Sequence, residues 1–413
     1  MIYVICQIGL QYAPMDIRSV TLFCEPDFPA DRIAEFFTAV RPAFTYPLQS
    51  TRLATPPFPD WWPESAGTQA HARQLAQTWQ AAGASYISLG PVLLRHDARW
   101  INHIPALLAA TDVLFASVEI ADTQGQIDTA RCQQAARLIQ TVSQILPNGF
   151  GNLYLTALAN CPPGSPFFPV AYHQGGPAHF AIAVESADLA LAAIQSARSL
   201  AEARQNLIEA IETAAFRLTL TAQELADTYQ IPFSGIDFSL APFPTDDKSL
   251  GGALEALGLP YLGSAGSLFA AGFVTEAIAR ANFPGCGFSG LMLPVLEDSV
   301  LARRAAEGVL TVQDLLSTSA VCGVGLDTIP LPGDVSERVL TAVLLDVAML
   351  ASRLNKPLTA RLMPLPGLAA GDPVTFDFPY FADSRVMGIA GTGTTGLMSQ
   401  EARFGINPVK SEK

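Results

Sequence analysis

Carboxylates, hydroxyls and one arginine recur at the ends of apolar runs in the second half of the chain, and these are the groups with chemistry to offer. In GIDFSLAP (235–242), Asp237 and Ser239 alternate with Phe238 and Leu240, which puts both polar groups on one face of a strand. In CGFSGLMLPVLED (286–298), Ser289 lies in an apolar run that closes on Glu297 and Asp298. CGVGLDTIPLPGD (322–334) offers Cys322, Asp327 and Asp334; LTARLMP (358–364) offers Arg361, and FDFPYF (376–381) offers Asp377. A carboxylate inside an apolar strand is costly to bury unless it is paired or binds a metal. Asp237, Asp327 and Asp377 are therefore expected as acid/base groups or as oxygen ligands of Mg²⁺, Mn²⁺ or Ca²⁺. Arg361 would hold an anionic substrate group or pair with one of these aspartates. Ser239, Ser289 and Asp334 would contact substrate, and His173, in the Pro/Gly-rich loop PPGSPFFPVAYHQGG (162–176), would shuttle protons. Cys322 joins the catalytic candidates, although Cys286 and Cys322 also suit a core as small apolar residues. Asp298 and Asp334 each precede a helical pattern, so both also read as N-caps.

Other motifs fail on context. GTGTTG (391–396) fits G-x-G-x-x-G, but the chain ends before a helix and acidic partner can complete a dinucleotide unit. GFSGL misplaces the second glycine of a nucleophile elbow. No C-x-x-C occurs among the 6 Cys, and the 5 His never take H-x-x-x-H spacing, so structural zinc is not expected. Neither a nucleotide, a haem nor an iron–sulfur cluster is expected.

The elements that must position these groups alternate. Strand patterns at 19–24, 49–53, 86–89, 113–120, 153–158, 179–184, 235–241, 322–329 and 358–365, with the apolar run 287–296, make about ten. Helical periodicity separates them at 30–43, 71–82, 102–110, 128–145, 187–215, 252–257, 268–281 and 335–354. Strands such as VLFASVEI are apolar on both faces, as in a sheet covered by helices. The expected class is α/β, either a closed barrel of about ten strands or an open doubly wound sheet. No linker divides the chain, so 16–402 reads as one domain, with 403–413 a loose polar tail.

Half of the 413 residues are hydrophobic and 15% are charged, enough for a large core. A net charge of −13 with no Lys/Arg cluster argues against nucleic acid. Mean hydropathy is positive, +0.29. The best apolar stretch, 339–350, is too short to span a bilayer and carries Asp346. The start lacks a basic n-region, so the cytoplasm is the expected compartment and the thiols are expected to be reduced. The expected partner is a small molecule, and the expected assembly is a homodimer.

Taken together, DIRSVTL, CPPGSPFFPVAYH, GIDFSLAP, CGFSGLMLPVLED, CGVGLDTIPLPGD and RLNKPLTARLMPLPG…AGDPVTFDFPYF resemble the bacterial and archaeal family filed as domain of unknown function 711, or uncharacterised protein family 0210. The resemblance runs from Asp16 to Met387 and makes residues 1–15 an extension. It implies a fold similar to the ten-stranded α/β barrel of pyruvate formate-lyase-like proteins, and it brings no settled activity. RVMGI (385–389) resembles a glycyl-radical loop only faintly: Met387 and Ile389 break the pattern and no adjacent Cys pair could relay a radical. The expectation is an acidic pocket in which an enzyme, assisted by a divalent cation, acts on a small polar metabolite. The alternative is a non-catalytic sensor using the same pocket.

Overall fold

A computed structural model describes residues 15–63 and 68–409. Ten strands matter for the site. The first five are β1 (Asp16–Phe23), β2 (Thr51–Ala54), β3 (Tyr86–Val92), β4 (Leu114–Ala121) and β5 (Gln126–Asp128). They are followed by β6 (Leu155–Ala159), β7 (His179–Glu185), β8 (Phe233–Ala241), β9 (Gly325–Pro332) and β10 (Leu358–Leu365). Helices lie between them, among them α1 (Ala30–Ala43), α2 (Thr68–Ala81), α3 (Ile104–Leu108), α4 (Thr129–Val142) and α5 (Ala187–Gln195). In the second half come α6 (Leu200–Tyr229), α7 (Leu250–Glu255), α8 (Ser267–Arg280), α9 (Ser299–Ala306), α10 (Val312–Ser319) and α11 (Glu337–Leu354). The periodicity explains them: Ile33, Phe36, Phe37 and Val40 bury one stripe of α1. Every residue of β4 is buried, because helices cover the sheet on the side its neighbours leave open.

The result is a mixed α/β fold around one large, mostly parallel sheet, with strand order β8-β7-β1-β2-β3-β4-β6-β10-β9. β1, β2, β3, β4 and β6 run parallel to one another. β7 lies antiparallel to β1 with β8 parallel to it, and β10 lies antiparallel to β6 with β9 parallel to it. The apolar run 287–296 forms no regular strand. Its segment nevertheless touches both edges of the sheet: Cys286 N–H donates to Ile236 O of β8 (3.0 Å), and Val295 N–H donates to Asp327 O of β9 (3.1 Å). Parallel bridges Ile236–Gly285 and Pro294–Asp327 accompany these bonds.

Two features differ from the sequence expectation. The polar segment after Arg403 is held, not loose, through its described part: Arg403–Gly405 pairs antiparallel with β5, and Val409 N–H bonds Arg353 O. Its backbone finds partners that its side chains do not advertise. Asp334 is exposed on a turn and does not cap α11; Ser336, two residues on, accepts from Val339 N–H. Asp298 does cap α9, accepting from Val300 and Leu301 N–H and also from Ser249 Oγ and Gly251 N–H. Except for Met15, the extension before Asp16 lies outside the described residues. Among the described residues, no helix is long and apolar enough to cross a membrane, and Cys24, Cys132, Cys161, Cys286 and Cys322 are free thiols.

Candidate functional site

A cavity of about 600 Å³ opens at one end of the sheet. It lies at the amino ends of the parallel set, lined by Arg18 of β1, Ser50 just before β2, Arg52 of β2, Tyr86 of β3, Phe115 of β4, and Tyr154 just before β6. The oppositely directed strands bring Arg361 of β10 to the same end, with Glu297 and the segment holding Asp377, Phe378 and Tyr380. The usual rule places ligands beyond strand carboxyl ends. Here the antiparallel halves make one end carboxyl for one set and amino for the other, so residues from both sets meet.

A chain of alternating charges runs beside the cavity and reaches its lining at Arg18, Glu297 and Arg361. Lys248 Nζ contacts Asp16 Oδ2 (2.6 Å) and Glu185 Oε1 (3.6 Å), and Glu185 meets Arg18 Nη1 at 3.4 Å. Arg18 Nη2 donates to Glu297, whose other oxygen accepts from Arg361 Nη2 at 2.7 Å. Arg361 Nε donates to Asp327 Oδ1 at 2.5 Å. Burial alone would raise Glu297, but the guanidiniums of Arg18 and Arg361 outweigh it and hold this carboxyl below its ordinary range. Asp327 shares its arginine with Glu297, and burial leaves its carboxyl above the ordinary range. The backbone here is bent to suit: β9 and β10 slip register across Ala360/Leu362, so that Asp327 and Thr328 together stand opposite Arg361. Thr328 takes φ +44°, a left-handed conformation that a β-branched residue adopts only under constraint.

Arg52 differs from the other two arginines. It is 9% exposed, and the only hydrogen bond its side chain makes among the described residues runs from Nε to Ser50 Oγ (3.0 Å). Its guanidinium carbon lies 5.1 Å from the Phe168 ring centroid and 5.7 Å from that of Tyr86. No carboxylate pairs with it among the described residues. Burial, with Arg18 close by, brings it down to about 9, so it remains charged at neutral pH. Both Nη groups are left as unused donors at the cavity.

The residues expected from sequence scatter. Arg361 lines the cavity, Asp327 stands behind it as its ion-pair partner, and Asp377 is exposed at the cavity mouth. Asp237 lies elsewhere, fully buried, accepting from Ser239 Oγ (2.5 Å), Phe288 N–H (2.7 Å) and Ser289 N–H (2.9 Å). Burial pushes its carboxyl up to about 6. Ser239 and Ser289 thus serve Asp237 and do not line the cavity. His173 is buried away from it, with its backbone N–H on Thr55 O and Nε2 3.2 Å from Gly176 O. Cys322 is buried just ahead of β9, its carbonyl accepting from Lys356 Nζ, and Asp334 faces solvent. Asp237, Asp327 and Asp377 do not converge, and among the described residues no three His, Cys, Asp or Glu side chains are grouped to hold a metal ion. GTGTTG packs on the first turn of α11, where Arg338 Nε donates to Thr394 O. The expected acidic pocket meets a lining with Arg18, Arg52 and Arg361 beside Glu297, Asp112 and Asp377, whose formal charges cancel. Sequence reasoning missed Arg18 and Arg52; their one signal was a lone arginine in each of two strands.

A model of the family described as uncharacterised ACR (DUF711) matches residues 28–377. The chain belongs to this family. The matched span holds Arg52, Glu297 and Arg361, while Arg18 precedes it. Relatives in the family include a UPF0210 protein of Pyrobaculum aerophilum, 36% identical over 289 residues that cover 67% of this chain and 63% of that protein. A UPF0210 protein of Actinobacillus succinogenes is 30% identical over 318 residues, covering 74% and 70%. The chain spans under two thirds of the length of the Pyrobaculum family members it matches.

Proposed function

We propose that this chain binds a small organic anion in the cavity, with the anionic group seated on Arg52. The supporting observation is a buried guanidinium that faces a cavity with both Nη groups unpaired. Desolvating a cation without a partner is unfavourable, and a charge-assisted, two-point contact from a bound anion would offset that cost. Closure of the sheet belongs to the same proposal. The segment 284–296 bonds to β8 and to β9, which would complete a barrel of two oppositely directed sets of five parallel strands. Such a barrel would resemble the pyruvate formate-lyase-like fold, with the cavity at one mouth. A divalent cation on Asp237, Asp327 and Asp377 has no part in this reading: Asp237 spends both oxygens on internal donors, and Asp327 Oδ1 accepts from Arg361.

A thermal-shift screen against monocarboxylates, dicarboxylates and inorganic phosphate tests it, since a ligand of the folded state raises Tm. At least one anion should stabilise the wild type, and Arg52→Gln should remove that shift. A panel that leaves wild-type Tm unchanged would overturn the proposal. The strained Thr328 beside Asp327 favours a second step, chemical transformation of the bound metabolite, because such strain gathers at active sites. NMR of the bound anion over hours tests that step: consumption supports an enzyme, an unchanged spectrum a binding protein.

A further inference from the structure

We infer that the anion is a monocarboxylate carried on a flat aromatic ring, a reading that rests on the anion site proposed at Arg52. The charge count limits the ligand to one negative group. Arg18 is shared between Glu185 and Glu297, and Arg361 between Glu297 and Asp327, so neither guanidinium is free for a second anionic group. A dianion would set its second charge against Glu297.

A row of rings in the same lining supplies the body's complement. Starting at Arg52, rings follow one another without a gap: Phe168, Phe115, Tyr154, Phe150, Phe378 and Tyr380. The successive centroid distances are 5.3, 5.0, 6.0, 5.1 and 5.2 Å. The first four of these pairs meet at 64–80°, so faces and edges alternate along the wall. A ligand ring lying along it can meet both, the arrangements aromatic pairs prefer. The wall begins where the cation stands, so a carboxylate attached directly or through one carbon to a ring would touch both. A cavity of about 600 Å³ accommodates a one- or two-ring acid.

Isothermal titration calorimetry on the full chain with acetate, cyclohexanecarboxylate, benzoate, indole-3-acetate and inorganic phosphate tests this. Benzoate and indole-3-acetate should bind at least tenfold tighter than acetate, and several-fold tighter than cyclohexanecarboxylate. Phe378→Leu, at the half-buried mouth end of the wall, should weaken the aryl acids several-fold and leave acetate unchanged. Arg52→Gln should abolish binding of all the carboxylates. If acetate binds through Arg52 and the aryl acids bind no tighter than cyclohexanecarboxylate, the aromatic inference fails and the anion site stands. Tighter binding of phosphate than of benzoate would overturn the monocarboxylate assignment in the same way. If no anion binds in an Arg52-dependent manner, the anion site fails and takes this inference with it.

Discussion

Arg361 and Arg52 stand in one cavity with opposite energetic roles. Arg361 holds Asp327 and Glu297 on separate nitrogens, and all three side chains are buried. Asp327→Ala removes one partner from a buried pair, which costs about 3 kcal/mol. Urea unfolding should therefore show a loss of that size in unfolding free energy. Arg52 makes no ion pair among the described residues, and burial lowers it further than nearby Tyr86 and Glu297 raise it, so its charged form works against folding at any pH below about 9. Arg52→Gln should accordingly raise the Tm of the ligand-free protein while binding is lost, the usual exchange between stability and function. A fall in Tm would mean that the guanidinium has a structural partner after all.

At the scale of elements, α11 separates two readings of one acidic turn. Ser336→Ala should cost about 1 kcal/mol through the lost bond to Val339 N–H, whereas Asp334→Ala should leave stability unchanged. Thermal melts of the two variants make that comparison. Most elements were legible in the sequence because their periodicity is strong: 358–365 and 30–43 match β10 and α1, while 187–215 divides into α5 and α6 at Ser196–Ser199 and α6 runs on to Tyr229. The segment 287–296 was legible as apolar but not as irregular, since its partners are single bridges on two distant strands. The site was less legible. Asp327 and Arg361 announced themselves as charges in apolar strands, and they do meet. Asp237 gave the same signal, yet backbone N–H groups and a serine satisfy it, and no pattern along the chain distinguishes an amide partner from a ligand. The bulge at Thr328 depends on pairing between strands more than 30 positions apart, which local propensity does not encode.

The whole molecule carries several acids without a strong counter-charge. Burial raises Asp188 and Glu119 to about 7 each. A carboxyl raised in the folded state binds its proton more tightly there than in the unfolded chain. Its contribution to stability is thus complete below about pH 4 and is lost as pH rises to about 7. Wild-type stability should fall over that window, and Asp188→Asn, neutral throughout, should reduce the fall by about 2 kcal/mol. Parallel denaturation curves at pH 5 and pH 7.5 would show it; equal slopes would mean that Asp188 is not raised.

Arg18 and Glu297 join positions 279 apart in the chain. Glu297 ends the segment that touches both edge strands, and Arg18 belongs to the first strand described. The charged wall therefore comes into being only when the earliest and latest parts of the sheet have docked. No amino-terminal piece that ends before Arg361, however well folded, can contain all of it. A chain cut between β8 and Glu297 would retain Arg52 with the rings Phe168, Phe115, Tyr154 and Phe150, but would lose Glu297, Arg361, Phe378 and Tyr380, so one end of the cavity would be missing its lining.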